Sequence, residues 1–153
     1  MKRWIIYLAV LALCGTSSTR ATDIGKLAPV EVVWLTEKAG FVYLETDTGD
    51  VGVGEDVQSA LRYMKSTAPG TIFLETADYL IVEHGREVLL QQVYDVLHPS
   101  CKVCIAEKMP DMEKVAEFLS AHEPCVTLRQ HQVEMCALPI IREHEGRFRF
   151  VAE

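Results

Sequence analysis

Apolar and polar positions change along this chain in runs short enough to be read element by element. The first run is residues 4–13, ten uncharged and mostly apolar positions behind the cationic start Met1-Lys2-Arg3 and ahead of the polar stretch Gly15-Thr16-Ser17-Ser18-Thr19-Arg20. A bilayer span takes about 20 apolar residues, so this run is too short to be one, and its flanks are those of an export signal. Further on, residues 30–35 and 40–46 are rich in β-branched and aromatic side chains, and Glu37-Lys38-Ala39-Gly40 between them predicts a β-hairpin turn. Val57, Ala60, Leu61 and Met64 then fall at i, i+3, i+4 and i+7, one face of an amphipathic helix. Glu55 or Asp56 suits its first turn, and Pro69-Gly70 follows its end.

The extended stretch Thr71-Ile72-Phe73-Leu74 leads to Tyr79-Leu80-Ile81-Val82, whose near-continuous apolar character predicts a central strand covered on both faces. Leu89, Val93, Val96 and Leu97 define a second helix, which His98-Pro99 stops. Lys102-Val103-Cys104-Ile105-Ala106 reads as another strand. Pro110 suits the first position of a third helix, whose apolar face is Met112, Val115, Ala116 and Leu119. Strands and helices alternating through short joints are the order of right-handed βαβ crossovers. The expected fold class is therefore α/β, a mixed sheet with three amphipathic helices in βαβ order after an N-terminal β-hairpin. Beyond Pro124 the character changes: residues 125–128 and 133–141 read as extended, and Gly146-Arg147-Phe148-Arg149-Phe150-Val151 alternates like one more strand whose pairing partner is missing or supplied from elsewhere. The expected organisation is a signal over 1–21, an α/β domain over 23–124 and an extended C-terminal segment over 125–153.

Composition narrows the class. With 49% hydrophobic residues, 24% charged residues and six prolines, the chain is neither disordered nor fibrous. Once a signal of roughly 14 to 21 residues is set aside, about 130 remain, enough for one domain and too few for two. A net charge of −7 without a Lys/Arg stripe argues against phosphate-backbone binding, so no nucleic-acid partner is expected.

The signal has two processing outcomes. Cys14 ends the apolar run in Leu11-Ala12-Leu13-Cys14-Gly15, where a bacterial lipobox carries the cysteine that is acylated, although Leu13 is bulkier than the residue that ordinarily precedes it. Cleavage after Thr19-Arg20-Ala21 would instead release a secreted form. Lipidation at Cys14 is the expectation.

The sharpest local motif is the CxxC of Cys101 and Cys104, which in an exported chain raises thiol-disulfide exchange as an alternative function. In thiol oxidoreductases the first cysteine opens a helix, whereas here Cys104 lies within a predicted strand. Positions i and i+3 of a strand point to opposite faces, so the two sulfurs are not expected to pair. Cys101, Cys104, Cys125 and Cys136 would allow three disulfide pairings. Their spacing does not resemble a zinc ribbon, even with His122 and His131 nearby, and no metal or cofactor is expected. His84 reads as the end of a strand and His98 as a neighbour of a helix C-terminus. Gly49-Asp50-Val51-Gly52-Val53-Gly54 has no Lys-Ser/Thr after it and reads as a turn rather than a phosphate loop. Glu113 and Glu117, with Lys114 between them, read as a solvated helix face.

Taken in order, these segments resemble the N-terminal domain of the spore germination receptor C subunits, the Ger(x)C lipoproteins. The likeness is carried by Asp23-Ile24-Gly25-Lys26-Leu27-Ala28-Pro29-Val30-Glu31-Val32, the hairpin, and the helix segment Val57-Gln58-Ser59-Ala60-Leu61-Arg62-Tyr63-Met64. It continues through Ala77-Asp78-Tyr79-Leu80-Ile81-Val82-Glu83-His84-Gly85, Lys102-Val103-Cys104-Ile105-Ala106 with the helix after it, and Ala137-Leu138-Pro139-Ile140-Ile141 with Gly146-Arg147-Phe148. It covers most of residues 23–150, with Trp34-Leu35-Thr36 in place of the family's Gly-Ile-Asp triplet. The resemblance implies a shortened, lipid-anchored accessory subunit on the outer face of the cell or inner spore membrane. It further implies integral-membrane A and B subunits as partners in the response to nutrient germinants, and it supplies no catalytic residue and no cofactor.

Overall fold

The computed structural model describes residues 27–151, so the export signal and Cys14 lie outside the described residues. The hairpin forms where the pattern places it. Strand β2 (Val32–Lys38) turns through Ala39 and Gly40, both left-handed at φ 53° and 80°, into β3 (Phe41–Thr46). Two successive positive φ values make the two-residue loop whose twist matches that of paired strands. The register runs from Lys38↔Phe41 to Val33↔Thr46.

The glycine-rich stretch is a turn only at its start, where Gly49 is left-handed at φ 84° and its amide donates to the Thr46 carbonyl at 3.0 Å. Val51–Gly54 is strand β4, antiparallel to β3, and helix α1 (Val57–Thr67) lies directly on it. A Cβ on Gly52 would overlap the Ala60 carbonyl and approach the Met64 Cβ at 3.1 Å, and one on Gly54 would overlap Ser59 and Ala60. These glycines therefore serve close helix–strand packing. Asp56 caps α1: its carboxylate accepts from the Ser59 amide at 2.6 Å, and the Asp56 amide donates to the Ser59 hydroxyl at 3.0 Å. These bonds satisfy amides that the first turn leaves unpaired and hold the Asp56 carboxyl below its ordinary range.

A short strand β1 (Leu27–Pro29) pairs in parallel with β5 (Thr71–Phe73), apart from the main sheet. Strand β6 (Tyr79–Glu83) is the central strand predicted, buried from Tyr79 to Val82 between β2 and β7 (Lys102–Ala106). The second helix is shorter than its pattern. One turn of α2 (Leu90–Val93) follows a 3₁₀ turn at Glu87–Leu89, and the amides of Val96 and Leu97 both return to the Val93 carbonyl before His98-Pro99. Leu89, Val93, Val96 and Leu97 are all buried, so the periodicity reported the buried side of a coiled segment rather than a continuous helix. Helix α3 (Met112–Ala121) starts two positions later than expected. Asp111 is its N-cap, accepting from the Lys114 amide at 3.2 Å, and Pro110 precedes the cap.

The segment after Pro124, expected to be extended throughout, contains helix α4 (Leu128–Glu134). Thr127 and Gln130 form its capping box, and Met135 closes it in a left-handed conformation at φ 50°. Strands β8 (Ile140–His144) and β9 (Arg147–Val151) follow as a hairpin through Glu145 and Gly146, and β8 joins β7 in parallel. The segment therefore completes the same sheet as the preceding residues, and the partner of β9 is its neighbour β8.

The result is α/β, with a seven-stranded mixed sheet in the order β4-β3-β2-β6-β7-β8-β9. Its four inner parallel strands lie between antiparallel additions at both edges. On one face, α1, α2 and Leu128 of α4 cover Val33, Leu35, Leu80, Val82 and Val103. On the other, α3 is the one helix among the described residues that covers Val32, Trp34, Ile81, Cys104 and Ile141. Between α3 and α4 the chain passes from one face to the other beside the first half of β7. There Val103 donates to the Val126 carbonyl at 2.9 Å and Leu128 to the Cys101 carbonyl at 2.8 Å, while further along Ile105 donates to Pro139 at 2.9 Å. Two separate segments thus satisfy the outer edge of one strand.

Candidate functional site

In open α/β sheets, ligands gather at the carboxyl ends of the parallel strands. Here that edge is polar and internally paired. Thr36 at the end of β2 is buried and donates its hydroxyl to the Glu83 carboxylate at the end of β6. Arg86 lies 3.9 Å from Glu37 across the same edge. At the ends of β7 and β8, the Arg142 Nε and Nη2 both reach Glu107 Oε1, at 2.9 and 2.7 Å. Beside this pair is a cleft of about 90 Å³ with Ala106, Pro110, Ile141 and Phe148 on its walls and Lys108 and Glu143 at its rim. That volume holds about three waters, and ligand pockets for drug-sized molecules start near 300 Å³. None of these residues was a candidate site residue in the sequence, although Glu83, Ala106, Pro110, Ile141 and Phe148 lie in segments read there. Their signal was position alone, immediately after each apolar strand run.

The CxxC cysteines lie where strand alternation puts them. Cys101 belongs to the cluster under α2 and α4, Cys104 to the cluster under α3, so the two sulfurs lie on opposite faces of the sheet. Both thiols are buried and free. Burial pushes the Cys101 thiol up to about 12, with the Asp78 charge adding to the shift, and burial likewise raises the Cys104 thiol, with Cys101 adding. A thiol that exchanges needs an exposed, stabilised thiolate, the reverse of both settings. Cys125 is exposed and Cys136 partly so, and both are free thiols.

The remaining candidates are dispersed. His84 follows β6, its amide donating to the Ala106 carbonyl at 2.9 Å. His98 bonds the Ser100 hydroxyl at 2.6 Å and accepts from the Ser100 amide, bracing the turn before β7. His122 stacks on Phe118 with ring centroids 4.9 Å apart, and His131 bonds the Cys136 carbonyl at 3.0 Å. Among the described residues, no three His, Cys, Asp or Glu side chains converge as a metal site. No helix among the described residues is long and apolar enough to cross a membrane. Glu113 and Glu117 are exposed on α3 and line an open trough of about 510 Å³ with Ala116, Ser120, Glu31 and Asp47.

The fold and this edge define a mixed-sheet α/β domain whose buried cysteines pack the core. No family model, curated protein or solved structure matches the chain.

Proposed function

We propose that this chain is an exported, lipid-anchored accessory subunit that works by binding, of the kind found in membrane receptor complexes for nutrient germinants in spore germination. The sequence supports it through the export signal ending at Cys14 and through the ordered resemblance to the Ger(x)C lipoproteins, whose integral-membrane A and B subunits would be the partners. One observation weighs binding against extracytoplasmic thiol-disulfide exchange: Cys101 and Cys104 are buried on opposite faces of the sheet. The pair fills the core, which weighs against exchange at these two thiols.

The test is fractionation of bacterial cells expressing the full chain, followed by intact mass spectrometry. The expected product is in the membrane fraction with a diacylglyceryl group on Cys14, and Cys14→Ser abolishes both. A soluble product beginning at Thr22 would overturn the anchored reading.

A further inference from the structure

The two faces of the sheet are unequally covered. Toward the β4 edge, α1 lies over β3 and β4 on one face. On the opposite face, no described element covers the same two strands. Alternation places Phe41, Tyr43 and Glu45 of β3 and Val51 and Val53 of β4 there, with Tyr43 paired to Val53 and Glu45 to Val51. Phe41 is 46% exposed and Val51 41%, with Tyr43 and Val53 half-buried. Four apolar side chains contiguous on one sheet surface differ from the scattered exposed apolar residues of an ordinary surface. A two-sided α/β sheet normally buries such a surface under a helix.

On this side of the sheet the next element is α3, which packs over Val32 and Trp34 of the neighbouring strand β2 and over β6 and β7, and whose trough reaches Asp47 just beyond the end of β3. Its flank carries Glu113, Ala116, Glu117 and Ser120 at i, i+3, i+4 and i+7, along the open trough described above. Ala116 and Ser120 keep that flank low enough for a second helix to approach, and Glu113 and Glu117 edge it with charge. Among the described residues, neither these two carboxylates nor Glu45 has a cation within salt-bridge distance.

We propose that the bare face of β3 and β4 docks an amphipathic helix of a partner protein, laid alongside α3, with an apolar stripe on Phe41, Tyr43, Val51 and Val53 and Lys or Arg on the flank facing Glu45, Glu113 and Glu117. Charge selects this occupant over a second copy of the chain: Glu45, Glu113 and Glu117 outnumber Lys38, the one cation that the register sets on this face beside Phe41 among the described residues, so two such faces brought together would set mostly like charges against each other. The mode is helix-in-groove recognition, in which the apolar stripe carries affinity and the charged flank sets orientation. It does not depend on the membrane anchoring proposed above.

The probe is a stapled helical peptide with leucine on one stripe and lysine along its flank, titrated against the purified full chain, in buffer if the chain is soluble and in zwitterionic nanodiscs if it is lipid-anchored, with buffer or empty nanodiscs as reference. The same helix with glutamate for lysine is the control. The lysine helix is expected to bind saturably and the glutamate helix not to bind. Charge reversal by Glu113→Lys with Glu117→Lys, and separately Phe41→Ser with Val51→Thr, should each weaken binding about tenfold or more. In the unsubstituted chain, the bound peptide should slow amide exchange over residues 41–54, a readout that needs no variant and so stands if a variant misfolds. Absence of saturable binding overturns the proposal, as does binding unchanged by Phe41→Ser with Val51→Thr, which would reflect charge alone. Self-association lost in that same variant would assign the face to a second copy and overturn it too.

Discussion

Cysteine is inert or reactive according to where its sulfur sits, and four of the five in this chain lie among the described residues. With its thiol pushed up to about 12, Cys101 holds on the order of one thiolate in 10⁵ at neutral pH. Brief treatment of the native protein with iodoacetamide is therefore expected to label Cys125 first and Cys136 more slowly, leaving Cys101 and Cys104 unlabelled until denaturant is added. Peptide mapping of the alkylated sites checks this, and early labelling of Cys101 would show that its side of the core opens. The opposed faces of the CxxC pair were legible in the sequence, because a period of two needs only the assignment of a strand. The pairing of Thr36 with Glu83, and of Arg142 with Glu107, was not. Each joins residues far apart in the chain, and no local pattern encodes which strand ends lie side by side.

Elements were readable where period and caps agreed. The helix bearing Val57, Ala60 and Met64 satisfied both, and it forms over Val57–Thr67 from an Asp56 cap. At Thr127 the signal was present in the Thr-x-x-Gln spacing of a capping box, but Thr127 and the Val126 before it are both β-branched, which favoured a strand reading and hid α4. The glycines around β4 misled for a physical reason. Gly commonly marks a turn, yet Gly52 and Gly54 have no side chain because α1 needs the space. Gly52→Ala places a methyl against the Ala60 carbonyl and should cost about 1–3 kcal/mol of stability, the usual range for overpacking a filled contact. Urea denaturation of the variant beside the unsubstituted chain measures it. An unchanged midpoint would mean that α1 is free to move away from β4.

At the scale of the molecule, the α/β class and the central place of β6 followed from the alternation of apolar runs. The strand order, the passage from α3 to α4 across the plane of the sheet and the inclusion of β8 and β9 in it did not. Those depend on which distant segments complete each other's backbone hydrogen bonds, as 126–128 and Pro139 do for one edge of β7. The sheet's plan, local hairpins at both margins and strands distant in sequence at its middle, has a consequence in time. A hairpin closes in about 1–10 μs, while strands far apart in the chain must first overcome the entropy of a long loop. Val33 meets Leu80, and Leu80 meets Val103, only after the intervening chain has been drawn in. The margins should therefore set first and β6 last, and pulse-labelled exchange during refolding should protect amides of β2–β3 and β8–β9 before those of β6. Until that final strand is seated, the two halves of the core have no common floor, and the molecule gains its two-sided interior in a single late step.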